Sequence, residues 1–406
     1  MTRQSPPFES EIERPPVDGG LPSLSDLFDS DWVWQRYVDK FGEPEETPGH
    51  LRISQFDYHP QARAVVSYVA ERAWDDFVIE EPFAIRIKPG AAPRVFRYPA
   101  DPYLPGLAPA STGPEAHALI ARHVGMRPIR VQVETVRYRS ARRGVLRHRV
   151  YDGRGNEATL FARVMQPARL PAFMATGVAA ARSPFLTPRL VGASEDLGIV
   201  WMTAIPGETV RRAIQEFRAP PVDGLLTGLA GIWALDAPET RPLDVRAGFE
   251  SGRRLFAQML GESPASAAAG EAEARLEDFV ESWLPTANAH NDFYDDQVIV
   301  TPEGEVALVD FEEIGPGDPM MDVANLSAHL SWISRFGDNR ATAAYRREVR
   351  EAALRRFRWD PHELTVREAY CIYRLSTNAV RHLRPGWKEE TEKGLRLALA
   401  VAAEAS

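Results

Sequence analysis

The stretch Ala289-His290-Asn291-Asp292-Phe293-Tyr294-Asp295-Asp296-Gln297, followed by a hairpin that ends in Asp310-Phe311-Glu312, decides the reading of this chain. Gln297-Val298-Ile299-Val300-Thr301 has the β-branched composition of a strand. Pro302-Glu303-Gly304-Glu305 is turn chemistry, and Val306-Ala307-Leu308-Val309-Asp310 reads as the returning strand. A four-residue loop sets Thr301 against Val306, and so Gln297 against Asp310. Directly opposed residues hold their Cβ atoms about 4.5–5.5 Å apart. At that separation an amide oxygen and a carboxylate can share one hard cation such as Mg2+. Asp292 lies on the loop before the first strand, free to reach a hydroxyl group.

A third element follows in order, Gly317-Asp318-Pro319-Met320-Met321-Asp322. The series resembles the aminoglycoside phosphotransferase and choline kinase family, distant relatives of protein kinases, whose pattern is H-G-D-x-x-x-x-N, a hairpin, a D-F-G-like Asp, then G-D-P-x-x-D. The resemblance implies Asp292 as catalytic base and Gln297 and Asp310 as metal ligands. It implies Asp318 and Asp322 as structural acids at the site, Asp322 bracing the catalytic loop by accepting backbone N–H bonds. His290 would pack under that loop. It also implies a nucleotide, ATP or GTP, with Mg2+, and a small-molecule hydroxyl acceptor.

Composition is ordinary for a soluble globular protein. The 406 residues suffice for two or three domains, and a net charge of −9 disfavours non-specific nucleic-acid binding. The single cysteine, Cys371, cannot form an intrachain disulfide, and no apolar run reaches membrane-spanning length. With a polar, acidic start that does not read as a signal, these features point to a cytoplasmic protein without membrane partners. Lysine occurs only at Lys40, Lys88, Lys388 and Lys393; the arginine- and alanine-rich composition points to a GC-rich bacterial source.

The expected architecture is α+β: a bilobal protein-kinase-like fold with a small antiparallel β N-lobe and a mainly helical C-lobe, preceded by a smaller α/β cap-like domain. Residues 1–28, rich in Pro, Ser and acids, read as a disordered tail. Residues 29–125 form the cap-like domain, 126–206 the N-lobe and 207–406 the C-lobe. Trp32, Trp34, Tyr37 and Phe41 lie on a short helix that docks on its own domain or marks a partner site. An internal repeat supports the cap: Asp57-Tyr58 to Tyr68 aligns with Arg137-Tyr138 to His148, each a strand, turn and strand, with third strands at Phe83–Ile87 and Leu160–Val164. Maltokinase-like members of the family carry a similar extra N-terminal unit. Between the repeats, Asp101-Pro102-Tyr103-Leu104-Pro105-Gly106-Leu107 reads as a fixed loop or linker. The charged, Ala-rich Glu262 to Glu273 stretch reads as a surface connection between helices.

The family likeness assigns further positions. The turn Ser140-Ala141-Arg142-Arg143-Gly144 would cover phosphates with backbone N–H groups, Gly144 allowing close approach and Arg142 and Arg143 adding charge; a solvated basic hairpin has the same composition. Backbone groups around Met202 and Ala204, at the end of the apolar run Ile199–Ala204, would meet the base of the nucleotide. Four departures stand out. Arg163 occupies the phosphate-binding lysine position, and Arg is not a neutral replacement for Lys. No acid between Val164 and Gly192 is available to pair with it, so that ion pair is absent or rebuilt, with Asp310 or phosphate as the alternative partner. Gln297 stands for Asn, and Asn291 for Gly. Asp295 and Asp296 either bind a basic acceptor or are solvated loop charges; Glu312 and Glu313 either join the metal shell or head a helix. A small-molecule kinase, a pseudokinase-like binding or regulatory module, and a metal-dependent hydrolase are the readings left open; the last lacks histidines at metal spacing.

Overall fold

Two five-stranded sheets precede a helical region in the computed structural model, which describes residues 8–42, 49–74, 77–216, 218–235, 242–336 and 340–404. The first unit comprises β1 (Phe8–Glu9), a 3-10 turn at Pro22–Phe28, α1 (Ser30–Phe41), β2 (His50–His59), β3 (Arg63–Trp74), β4 (Phe77–Lys88) and β5 (Ala91–Arg97). Its strands lie in sequence order, antiparallel except for β1 beside β2. β3 is buried on both faces: Ala64, Val66, Tyr68 and Ala70 join the main core, while Val65, Ser67 and Val69 are covered on the other side. Asp29 caps α1 by accepting the Trp32 N–H at 3.0 Å. Trp34 and Tyr37 are buried, and Tyr37 meets Phe83 edge-on, so the aromatic helix docks on its own sheet.

The second unit comprises α2 (Leu107–Ser111), α3 (Gly113–His123), β6 (Pro128–Arg139), β7 (Arg143–Asp152), β8 (Glu157–Met165), α4 (Leu170–Ala180), β9 (Leu190–Ser194) and β10 (Ile199–Thr203). The sheet order β6-β7-β8-β10-β9 follows from the excursion of the chain through α4 before its return. Leu107, Leu146, Ala162, Val164 and Trp201 form its separate core.

The helical region comprises β11 (Glu208–Thr209), α5 (Val210–Gln215), α6 (Val222–Trp233), α7 (Val245–Met259), α8 (Pro264–Ser282), β12 (Ala287–Ala289), β13 (Val298–Val300), β14 (Val306–Leu308), β15 (Gly315–Gly317), α9 (Pro319–Phe336), α10 (Arg340–Phe357), α11 (Pro361–His382) and α12 (Trp387–Ala403). Gly317-Asp318-Pro319 turns β15 into α9, with Pro319 in the first turn, where its missing N–H costs nothing, and Asp318 accepting the Met320 N–H at 2.9 Å. The Glu262–Glu273 stretch is mostly helix, inside α8, rather than a connection.

One expectation fails near the N-terminus. Residues 8–28 are not a disordered tail: Leu21, Leu24, Leu27 and Phe28 are buried, and the segment is laced to the helical region by Glu13 N–H on the Leu383 carbonyl (2.7 Å) and Gln258 Nε2 on the Val17 carbonyl (3.0 Å). Residues 1–7 lie outside the described residues. Asp101–Leu107 is a fixed loop, as expected. It repeats Asp18-Gly19-Gly20-Leu21-Pro22-Ser23-Leu24 as D-x-x-L-P-x-L. Asp18 accepts the Gly20 N–H (2.8 Å), the Tyr58 hydroxyl (2.7 Å) and the Gln61 N–H (2.8 Å). Asp101 accepts the Tyr103 N–H (2.9 Å), the Tyr138 hydroxyl (2.9 Å) and the Ala141 N–H (2.7 Å). Gln61 and Ala141 both take a left-handed φ, +57° and +59°. Each unit is therefore one buried Asp holding the tip of one hairpin.

Candidate functional site

The site grows from the loop between β12 and β13. Asp322, one turn into α9, accepts the backbone N–H of His290 (2.8 Å) and Asn291 (2.9 Å) and the indole N–H of Trp233 (2.9 Å). Burial pushes its carboxyl up to about 7, against three donors that favour the ionised form. Asp318 accepts the guanidinium of Arg367 at 2.7 Å and the Trp283 indole at 3.3 Å. His290 is buried beneath the loop, and burial lowers its pKa to about 4. The neutral ring links two segments: Nε2 lies 2.5 Å from the Asp310 carbonyl, and Nδ1 faces the Asp292 N–H at 3.4 Å.

Asn291 explains its own departure from glycine. Its φ is +67°, in the left-handed region that Asn tolerates better than most residues. Its Nδ2 donates to the carbonyls of Glu313 (2.9 Å) and Gly315 (3.3 Å), tying the loop to the segment after Asp310. A Cβ at Gly317 would overlap the Asn291 amide oxygen, so the two positions are coupled.

The hairpin differs from expectation by one residue. Val298 faces Leu308 and Val300 faces Val306, so Gln297 meets Val309 rather than Asp310, with the Val309 N–H on the Gln297 carbonyl at 3.0 Å. Gly304 is the cause: at φ +84° it closes a three-residue loop and leaves Glu305 paired with Thr301. The Gln297 side chain still turns toward the site. Its Nε2 donates to Asp292 Oδ2 at 3.2 Å, and its Oε1 is buried without a hydrogen-bond partner among the described residues.

Asp292 forms part of the wall of a cavity of about 380 Å³ with Leu243, Asp244, Asn291, Glu313 and Arg374. Burial raises its pKa to about 6; the Arg374 charge pulls it down, and Asp310 and Glu313 push it up. On the opposite side, Arg163 lies with Asp310 at 3.4 Å and is paired closely with Glu312, while its guanidinium rests 4.9 Å over the Phe173 ring of α4. Arg143 pairs with Glu312 at 3.0 Å and lies 3.9 Å from Asp310. The acid missing from α4 is thus replaced twice, by an aromatic face in the helix and by Glu312 from the segment after Asp310. Glu312 does not head a helix, because α9 begins at Pro319.

A model of the phosphotransferase enzyme family matches residues 137–365, more than half of the chain. The chain belongs to that family. Among solved structures, a choline/ethanolamine kinase family protein from Mesorhizobium loti aligns with a TM-score of 0.51 at 15% identity, over 71% of this chain and 94% of its own. A thermostable mutant of aminoglycoside phosphotransferase APH(4)-Ia, in ternary complex with AMP-PNP and hygromycin B, aligns with a TM-score of 0.50 at 16% identity, over 71% and 97%. Its apo form gives the same TM-score over 99% of its length. At these identities the likeness shows the kinase-like fold. A search of curated proteins finds no match. The family match starts at Arg137, so β1–β5 precede it.

Within this family frame, three expected features are arranged differently. The tip of the Ser140–Gly144 turn has two of its N–H groups already engaged. The Ala141 N–H goes to Asp101 and the Arg142 N–H to the Arg139 carbonyl (3.0 Å). Gly144 gives room to Leu107, whose Cδ1 would lie 2.7 Å from an added Cβ. Asp295 and Asp296 are both paired: Asp295 is fully buried with Arg211 at 2.6 Å, and Arg211 also holds the partly exposed Asp296 at 2.9 Å. Met202 is buried in β10, and the Ala204 N–H faces the Thr159 carbonyl at 3.4 Å, a long bond.

Arg374, Asp244, Phe173 and Arg211 escaped the sequence reading. Arg374 had a visible signal. It follows Tyr370 by four residues on the inward face of α11, where an arginine is out of place unless it faces a partner or a cavity. No helix among the described residues is long and apolar enough to cross a membrane.

Proposed function

We propose that the protein transfers the terminal phosphoryl group of ATP or GTP to a hydroxyl of a small metabolite bound in the cavity beside Asp292. One observation carries the reading: Asp292 is held by Gln297 on the cavity wall, and burial raises its pKa to about 6, where a carboxylate is a better base than a solvated one. The acceptor oxygen forms the new bond to phosphorus and its proton passes to Asp292. The nucleoside diphosphate leaves as the old P–O bond breaks.

The chain's own residues supply the rest. Gln297 and Asp310 would hold a divalent cation, a fit supported by the buried, partnerless Gln297 Oε1; such an ion, when bound, neutralises phosphate charge. Arg163 and Arg143 would face phosphate oxygens, with Arg142 beside them and Glu312 positioning both guanidinium groups. Backbone near Met202 and Ala204 would face the base. Asp318, Asp322 and His290 would keep the loop in shape. We assign residues 126–206 to the N-lobe, 207–406 to the C-lobe and the preceding unit, from Phe8, to a cap, and we expect a cytoplasmic bacterial enzyme.

A second reading, a pseudokinase-like binding module, draws on one observation: Asp310 and Glu312 are already neutralised by two arginines. Thermal shift with ATP or GTP, with and without Mg2+, on wild type and Asp310→Ala separates the two. Ligand at a hundredfold excess over Kd stabilises by about 2.7 kcal/mol. The kinase reading expects an Mg2+-dependent shift that Asp310→Ala loses; no shift with any nucleotide overturns it.

A further inference from the structure

The cavity beside Asp292 carries an unusual charge set. Asp244 and Glu313 stand exposed at its mouth, Asp292 lies deeper, and Arg374 reaches in from α11. Asp244 lines the cavity while one of its oxygens caps α7, accepting the Ala247 N–H at 2.8 Å. Glu313 makes no ion pair among the described residues, although Arg169 and Arg142 act on it from a distance. The Arg374 guanidinium likewise makes no hydrogen bond or ion pair among the described residues; its charge is felt by Asp292 and Glu313 without contact.

A guanidinium removed from bulk water without a paired anion is costly, and its planar fork matches a carboxylate. A purely cationic acceptor would leave Arg374 unmatched. A purely anionic one would face three carboxylates. We propose that the acceptor is a zwitterion, a hydroxylated amino acid or a close analogue: its carboxylate pairs with Arg374, its ammonium group faces Glu313 and Asp244, and its hydroxyl reaches Asp292. This rests on the phosphotransfer reading of the same site and narrows it from any small alcohol to one charge class. Arg374 is then the residue that sets acceptor specificity.

The test uses the full chain saturated with AMP-PNP and Mg2+, titrated calorimetrically with matched pairs that differ by a carboxylate: L-serine against ethanolamine, and L-homoserine against 3-aminopropan-1-ol. The carboxylate member of a pair should bind at least about tenfold tighter, the worth of one charge-assisted hydrogen bond. Arg374→Met should erase that preference and leave AMP-PNP binding intact, while Arg374→Lys retains part of it. Equal or tighter binding of the amino alcohols, an unchanged preference in Arg374→Met, or failure of every carboxylate ligand while AMP-PNP still binds would each overturn the zwitterion assignment and leave phosphotransfer standing. Failure of AMP-PNP itself would instead defeat the reading beneath it.

Discussion

The two hairpin units share a scaffold and differ in what their arginines face. In both, a D-x-x-L-P-x-L segment places a buried Asp under a Tyr hydroxyl and a left-handed hairpin tip. Arg86 pairs with Val65 in the first sheet as Arg163 pairs with Val145 in the second. Arg86, however, lies 4.3 Å over the Tyr103 ring of the next segment and forms no ion pair among the described residues. Arg163 lies over Phe173 and meets Asp310 and Glu312. The first unit therefore uses this arginine to pack against the second, whereas the matching arginine of the second unit meets acids of the helical region. A scaffold built for one hairpin can serve as a brace or as half of a site, depending on whether acids from elsewhere reach it.

The harshest way to break this comparison is Arg163→Met. Loss of one preorganised charge on a developing anion should lower phosphotransfer by about 10²–10³-fold. Arg86→Met should leave kcat unchanged in the same assay and cost only stability. Glu312→Gln comes next: kcat should fall by roughly tenfold or more because Arg163 and Arg143 lose their common anchor. Nucleotide Kd should hold or tighten, since the arginines also lose a competing acid; a rise in Kd with unchanged kcat would contradict the positioning role.

Acidity probes the part of the site that the helical region supplies, where Asp292 lies. A base must be ionised, so kcat should fall about tenfold per pH unit below the raised pKa of about 6. Arg374→Met should move that limb upward, because its charge favours the ionised form. The smallest effects are structural. Asp18→Ala and Asp101→Ala each strand buried donors, at about 1–3 kcal/mol in calorimetric unfolding. Only Asp101→Ala should also weaken nucleotide binding, because Asp101 holds the tip that carries Arg142 and Arg143.

Much of the site was legible because its parts are local. His290, Asp292, Gln297, Asp310 and Asp322 lie within 33 residues in a fixed order, and strand and turn chemistry separates them. The missed features depend on distant partners or on one dihedral. The hairpin register turned on the φ of Gly304, which composition does not reveal. Asp295 reads as a solvated charge because its partner Arg211 is 84 residues away. Glu312 was named without its role because Arg163 lies across the lobe boundary. The D-x-x-L-P-x-L repeat was in plain view, but its prolines and glycines have the composition of linkers, and in the first unit the surrounding Pro, Ser and acids have the composition of a tail.

The central claim is that the second unit, not the first, holds the nucleotide. Calorimetric titration of Mg·ATP into wild type, Arg86→Met and Arg163→Met tests it most directly. The account predicts equal Kd for wild type and Arg86→Met and at least about tenfold weaker binding for Arg163→Met, the loss of one charge-assisted contact. Equal weakening by both substitutions, or by neither, would contradict it.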